Sequence, residues 1–135
     1  MIRIKKALAI CTVSLMLLTC GTVFAANGKY STTYSMTGGV ESKRLDVGSN
    51  PTFTVAVNPT KGIWVDTKKT KQANIELQLK MDVFGLDPIK DVSIVPSVTG
   101  GNKTLTNKTK GNYSIYYRNY TGLLMEGKTT ISWKY

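Results

Sequence analysis

The chain has 135 residues, enough for one domain, and carries 18 Lys and Arg against 8 Asp and Glu, a formal net charge of +10. It contains no His, which excludes a Ser-His-Asp triad, a Cys-His pair and any zinc site ligated by His.

The first 25 residues have the layout of a secretory signal peptide. Three basic residues open the chain, an apolar stretch follows from residue 7 to residue 19, and Val23 and Ala25 supply the small residues that precede a cleavage site. The apolar stretch is short and interrupted for a membrane-spanning helix, which is the alternative interpretation. We therefore predict cleavage between Ala25 and Ala26, with residues 26–135 forming a single exported domain.

Four residues of this segment also resemble a processing signal of another kind. Leu17-Leu18-Thr19-Cys20 resembles the lipobox of bacterial lipoproteins, in which a peptidase cuts before a lipid-modified Cys. Thr19 departs from the pattern, because that family usually has Gly, Ala or Ser at this position. The resemblance implies a lipid anchor at Cys20 as the alternative to free secretion.

Export changes what the composition implies. Both cysteines, Cys11 and Cys20, precede the predicted cleavage site, so the mature domain would hold together by its core without disulfides. It would keep 15 basic and 8 acidic residues, a net charge of +7. Outside the cytoplasm the anionic partners are wall polymers, acidic glycans and lipid head groups, so we expect no nucleic acid partner.

Alternation of apolar and polar residues dominates the mature chain. The clearest segment is 75–83, where Ile75, Leu77, Leu79, Met81 and Val83 are predicted to be buried and the residues between them are polar or charged. One buried and one wet face indicate an antiparallel sheet. Weaker strands are predicted, in chain order, over residues 30–36, 52–57, 63–66, 92–96, 113–118 and 130–135.

The segments between these strands carry turn residues. The stretch from Gly100 to Asn112 is polar with one Leu, and it is predicted to be a long loop. Gly122 and Gly127 bracket residues 123–126, which are predicted to join the last two strands as a hairpin, and a short helix also fits there.

About seven short strands in one domain predict an all-β fold. The expected architecture is a small antiparallel β-sandwich, immunoglobulin-like in arrangement, and a small β-barrel is the alternative. Trp64 and Trp133 are expected to anchor its core. No helix that could span a membrane is expected in the mature chain.

Carboxylate chemistry is the remaining route to an enzyme or a metal site. Asp87 and Asp91 flank a Pro turn and could meet, and with Asp82 they could form a calcium site, although the spacing matches no known loop. Glu76 and Asp82 lie six residues apart on one strand face, roughly 20 Å at ~3.3 Å per residue, too far to act as a glycosidase pair. We therefore predict a non-enzymatic protein without a cofactor.

Two clusters are candidates for a binding surface. The first is a basic loop segment that carries Lys68, Lys69 and Lys71. The second is aromatic, since alternation places Tyr116, Arg118 and Tyr120 on one face of a strand and Tyr113 and Tyr117 on the other.

These clusters lead to two hypotheses about function. The first is an exported protein, free or bound at the cell surface, that associates with an anionic wall polymer, a glycan or a surface protein. The second is a secreted, bacteriocin-like or toxin-like antagonist that acts on another cell's surface.

Overall fold

The computed structural model describes residues 27–135, which form two antiparallel sheets packed face to face. The predicted cleavage site at Ala25 and Ala26 and the lipobox-like Cys20 lie outside the described residues. The strands are β1 (Asn27–Met36), β2 (Gly39–Glu41), β3 (Leu45–Val47), β4 (Thr52–Lys61), β5 (Asn74–Met81), β6 (Ile89–Pro96), β7 (Gly101–Thr106), β8 (Gly111–Asn119) and β9 (Met125–Lys134).

The strands separate into two layers. Sheet 1 has the order β1-β9-β4-β7, and sheet 2 has the order β2-β8-β5-β6 with β3 pairing β8 beside β2. Because the two sheets are separate, the predicted antiparallel β-sandwich is confirmed and the closed barrel is not formed. No helix among residues 27–135 is long and apolar enough to cross a membrane.

The core follows the predicted alternation. Ile75, Leu77 and Leu79 of β5 are fully buried between the sheets, and Phe53 of β4 packs against Tyr113 of β8 with ring centroids 5.4 Å apart. Trp133 packs against this core, as expected. Trp64 does not belong to it, because this residue lies in the β4–β5 connection, where it forms an isolated bridge with Gln72.

A buried polar chain ties the two sheets together. The hydroxyl groups of Tyr117 on β8 and Thr129 on β9 share a hydrogen bond of 2.7 Å, and Thr129 donates to the carbonyl of Ala56 on β4 at 2.9 Å. Burial raises the pKa of Tyr117 above its usual value. The first bond joins the two sheets and the second lies within sheet 1, so both buried hydroxyl groups have partners.

The prediction of a long polar loop from Gly100 to Asn112 is wrong. Residues Gly101–Thr106 form β7, which pairs with β4, and a turn over residues 107–110 leads into β8. Only Leu105 of β7 reaches the core. An edge strand that buries a single side chain has the composition of a loop, which explains the error.

The predicted hairpin over residues 123–126 is also wrong, since β8 and β9 belong to different sheets and the chain crosses between the layers there. The buried amide of Asn119 donates to the carbonyls of Met36 and Leu123 at 3.1 and 2.7 Å, which fixes the crossing. The residues of this connection are not helical.

Two strand boundaries differ from the prediction. The fifth strand ends at Met81, and Val83 instead pairs with Leu86 around a two-residue turn. The prediction that Met81 and Val83 are buried is wrong, because they lie at the end of the strand and beyond it, where both are only half-buried. That turn places Phe84 and Gly85 at φ values of 54° and 84°, and the Phe84 side chain is fully exposed. The predicted strand over residues 63–66 is reduced to the single bridge at Trp64.

Candidate binding surface

Cross-strand register assembles the outer face of sheet 2 from four strands. In one row, Arg118 of β8 lies between Gly39 of β2 and Glu76 of β5, and Ile94 of β6 follows Glu76. The next row, in the same strand order, consists of Glu41, Tyr116, Gln78 and Val92. We refer to these two rows, with Lys80 and Tyr120 at their ends, as the sheet 2 face.

Tyr116 lies near the middle of the sheet 2 face. The ammonium group of Lys80 lies 4.3 Å from the centroid of its ring, within the range of a cation–π contact. On the other side, the Tyr116 phenol covers Gly39, where any side chain would collide with it. The ring is therefore held in place by a cation on β5 and by a glycine on β2.

Tyr120 extends the face beyond the end of β8. The guanidinium of Arg118 lies 4.8 Å from its ring centroid, and 66% of the side chain is exposed. A hydrogen bond to the Glu76 carboxylate raises the pKa of Tyr120. Tyr120 therefore contacts both Arg118 and Glu76 at one corner of the face.

Apolar side chains border these aromatic residues. Val92 and Ile94 point outward from β6 and remain 47% and 49% exposed. Because they occupy the same rows as Tyr116 and Arg118, the face is aromatic at one side and aliphatic at the other, and Gln78 and Glu76 of β5 lie between the two sides. The polar side chains of β5 thus separate the exposed aliphatic pair from the aromatic cluster.

The basic segment lies in the β4–β5 connection, and Lys68, Lys69 and Lys71 are all exposed. Asp66 organises this loop by accepting hydrogen bonds from the backbone N–H of Thr70 at 2.9 Å and of Lys71 at 3.4 Å, and from the Thr70 hydroxyl. These bonds, led by that of the Thr70 hydroxyl, lower the pKa of Asp66.

The loop lies at the same end of the sandwich as Tyr120. The register pairs Ile75, near the start of β5, with Asn119 at the end of β8. The structure thus brings Tyr116, Arg118 and Tyr120 together in one face and places the lysine segment beside the end of that face.

The carboxylates considered for calcium do not converge. Asp82 accepts from the backbone of Gly85, Asp87 pairs with Arg44 at 2.9 Å, and Asp91 accepts from the backbone of Thr106 at 2.8 Å. Within residues 27–135 no three acidic, His or Cys side chains group as metal ligands would. Each of the three carboxylates therefore acts locally, in a turn, an ion pair or a strand edge.

Sequence reasoning names only three of the ten members of the sheet 2 face, which are Tyr116, Arg118 and Tyr120. The alternation places Glu76 and Lys80 only on the wet side of β5, and Val92 and Ile94 only in a strand that ends at Pro96. Their proximity to the tyrosines depends on the pairing of β5 with both β8 and β6. No spacing within one segment reveals that pairing.

Comparisons with known proteins bear on the fold. No protein-family model matches the chain, and no curated protein matches it. Among solved structures it is similar to one described as Bacillus endospore appendages, a family of disulfide-linked pili, with a TM-score of 0.54 and 10% identity over 88% of this chain and 96% of that chain. PliG of Aeromonas hydrophila, a periplasmic inhibitor of g-type lysozyme, gives a TM-score of 0.49 and 10% identity over 81% of this chain and 87% of that chain. At such identity the first likeness confirms the small β-fold and nothing more.

Proposed function

We propose that this chain is an exported, non-enzymatic β-sandwich that binds an anionic polymer, a glycan or a protein of the cell envelope. The proposed contact surface is the sheet 2 face, assisted by the lysine segment. The leader-like residues 1–25 support export, and the surplus of basic residues supports an anionic partner.

The observation that carries this proposal is the presence of aromatic, cationic and aliphatic side chains on one face of one sheet. Tyr116 and Tyr120 are each flanked by a cation, and Val92 and Ile94 lie in the same rows two strands away, on β6 beyond β5. Tyr and Arg are enriched at binding interfaces because they combine a rigid apolar body with a polar end. A partner could therefore bury the aromatic and aliphatic parts while its anionic groups meet Arg118 and Lys80.

The lysine segment supports a second contribution to binding, which is electrostatic and acts over a longer range. Its backbone is held by Asp66, so Lys68, Lys69 and Lys71 are not needed to keep the loop folded. Exposed cations of this kind raise the rate and the strength of association with an anionic surface, and salt screens them.

Binding to isolated cell envelopes at increasing salt tests the proposal. Replacing the three lysines with Gln should weaken binding at low salt only, because the Debye length falls from about 10 Å at 0.1 M to about 3 Å at 1 M salt. Tyr116→Ala with Tyr120→Ala should lower the affinity about tenfold and should do so at both salt concentrations, because apolar contacts are not screened.

Matched controls come from the other sheet. Lys128→Gln on β9 and Thr104→Ala on β7 change exposed, outward positions of sheet 1 and should leave binding unchanged. If the lysine and tyrosine variants bind like these controls, the sheet 2 face is not the contact surface.

The export part of the proposal has its own measurement. Mass spectrometry of the processed protein should find Ala26 at its N-terminus. A diacylated Cys20 in a membrane fraction would instead establish the lipid-anchored form, and an intact leader would contradict export by cleavage.

A further inference from the structure

The sandwich is open along one side, between β1 of sheet 1 and the β2–β3 region of sheet 2. A groove of about 550 Å³ runs there, with residues 30–35 as one wall and residues 40–43 as the other. Its floor is formed by Tyr117 and Thr129. We call this feature the β1 groove; its volume falls within the range of about 300–1,000 Å³ that is typical of ligand sites.

The pattern of exposure along β1 shows that the interior is uncovered at this groove. Tyr30, Thr32 and Tyr34 occupy alternate positions that face the other sheet, and Tyr34 is 4% exposed. Thr32, between them, is exposed although it belongs to the inward-facing set. Opposite it, Val40 of β2 is only half-buried.

The opposite side of the sandwich is closed. There β6 and β7 follow each other through a short turn, and the Asp91 carboxylate of β6 accepts a hydrogen bond from the backbone of Thr106 at 2.8 Å. An inward-pointing charge of this kind protects a sheet edge from pairing with another chain. The edge at β1 has no such protection among the described residues, because β1 pairs with β9 alone.

Two of the buried polar atoms without a hydrogen-bond partner belong to groove residues. They are the phenol oxygens of Tyr30 and Tyr34, and the other atoms of this kind among residues 27–135 lie elsewhere. The Tyr34 phenol reaches over Gly127 of β9 towards the Asn58 carbonyl of β4, so only that of Tyr30 concerns the groove. Along β1, the N–H and C=O groups that point away from β9 are also available, as on any edge strand. Buried polar groups are normally paired, so the Tyr30 phenol beside a free strand edge calls for an explanation.

The charge of the groove is asymmetric. The Lys43 ammonium lies 4.5 Å from the ring centroid of Tyr30 and makes that end positive. The Glu41 carboxylate is engaged by the Ser114 hydroxyl on the outside of sheet 2, so it does not oppose Lys43 directly.

We propose that the β1 groove binds one extended peptide segment of a partner protein, which adds a strand to the free edge of β1. The segment places an acidic side chain beside Lys43 and small hydroxyl or amide side chains over Thr32 and the Tyr30 phenol. Main-chain hydrogen bonds supply most of the affinity in such strand addition, and alternate side chains supply specificity.

A single segment suits the groove better than a second copy of this chain. Residues 30–35 wall the groove on one side and residues 40–43 on the other. The β1 strand of a second copy would carry β9 and the rest of its sheet behind it. The groove shares Glu41 with the sheet 2 face, but the free edge of β1 belongs to the other sheet, so this inference does not rest on the proposed function.

The probe is a phage-displayed library of linear nine-residue peptides, selected on residues 26–135. We expect enriched sequences with polar residues at every second position and an acidic residue near one end. A synthetic peptide of the enriched sequence should slow hydrogen exchange at the amides of residues 30–35 when it binds.

Two variants locate the bound peptide. Thr32→Trp fills the groove without touching the β1–β9 ladder and should lower the affinity by about tenfold or more, because the added strand can no longer pair. Lys43→Glu should weaken binding of the acidic peptide. It should strengthen binding of a peptide that carries Lys in place of the acidic residue. Thr104→Trp, on the outer face of edge strand β7, is the matched control and should bind normally.

Three results would overturn the proposal. The first is a selection without enrichment. The second is an enriched peptide that binds Thr32→Trp, checked for folding by circular dichroism, as tightly as the original protein. The third is concentration-dependent dimerisation that protects the β1 amides in the absence of peptide, since a second copy would then occupy the edge.

Discussion

The outer faces of the two sheets are built from the same alternating pattern and yet differ in chemistry. On sheet 1, a row across four strands consists of Lys29, Ser132, Thr54 and Thr104. In the next row, the hydroxyls of Ser31 and Thr130 share a hydrogen bond of 2.7 Å. On the sheet 2 face, the corresponding rows carry Tyr, Arg and aliphatic side chains.

The comparison shows how a strand can be stable without offering a contact surface. Threonine favours strands and exposes little apolar area, so the sheet 1 face is suited to water. Tyrosine favours strands equally well, but it exposes a large ring that a partner can bury. Strand propensity therefore accounts for both faces, whereas the difference in side-chain size distinguishes them.

The largest expected effect comes from the core on which both faces rest. Leu77 is fully buried on β5, directly behind the sheet 2 face. Leu77→Ala should lower the free energy of unfolding by about 2–5 kcal/mol, the range for truncation of a buried Leu. Chemical denaturation measures it, with Thr104→Ala on the sheet 1 face expected to stay within about 0.5 kcal/mol. Equal effects of the two substitutions would contradict the assigned register.

A smaller effect on the free energy of unfolding should distinguish two buried tyrosines, Tyr34 and Tyr117. Their rings stack between the sheets with centroids 6.2 Å apart. Tyr117→Phe removes a hydrogen bond to Thr129 and should cost about 0.5–1.5 kcal/mol at pH 7. Tyr34→Phe removes a phenol that has no partner within residues 27–135 and should cost nothing or stabilise the protein. Denaturation of the two variants side by side measures the difference.

The same pair predicts how stability depends on alkaline pH. Burial raises the pKa of Tyr34 to about 12, whereas an unfolded Tyr ionises near its usual pKa of about 10. The unfolded chain therefore releases its proton first, and stability should fall as the pH rises from about 10 towards about 12. Tyr34→Phe should make this fall shallower, and an unchanged slope would show that Tyr34 is not the group responsible.

The smallest expected effect on stability compares one lysine on each of the two faces. Lys80→Gln removes the cation over Tyr116 and should cost about 0.5–1 kcal/mol, the range for an exposed cation–π contact. Lys128→Gln removes an exposed cation on the sheet 1 face and should cost less than Lys80→Gln. If both lysines contribute equally, the two faces do not differ in the way described.

Much of this architecture was accessible from the sequence because burial imposes a period of two. Ile75, Leu77 and Leu79 lie in the core as predicted, and the face of β8 opposite Tyr116 is buried there too. The outward position of Tyr116 and Arg118 follows from the same rule. These features depend only on which side of a strand a residue occupies.

What could not be predicted depends on partners distant in the chain. The polar composition of β7 predicts a loop, because its pairing with β4 requires burial of Leu105 alone. The contacts of Tyr116 with Lys80 and of Tyr120 with Glu76 require the β5–β8 register, and the β1 groove arises from the spacing between two sheets. A single sequence contains no periodic signal for any of these.

The position of β9 has a consequence for the order of folding. This strand follows the other eight described strands along the chain, yet it lies inside sheet 1 between β1 and β4, and it supplies the whole pairing partner of β1. Before residues 125–134 of a growing chain are made, only the β4–β7 pair of sheet 1 can form, whereas all strands of sheet 2 are already present. Such distant pairing has a high contact order and slows folding. The completion of sheet 1 therefore waits for β9, and that of sheet 2 does not.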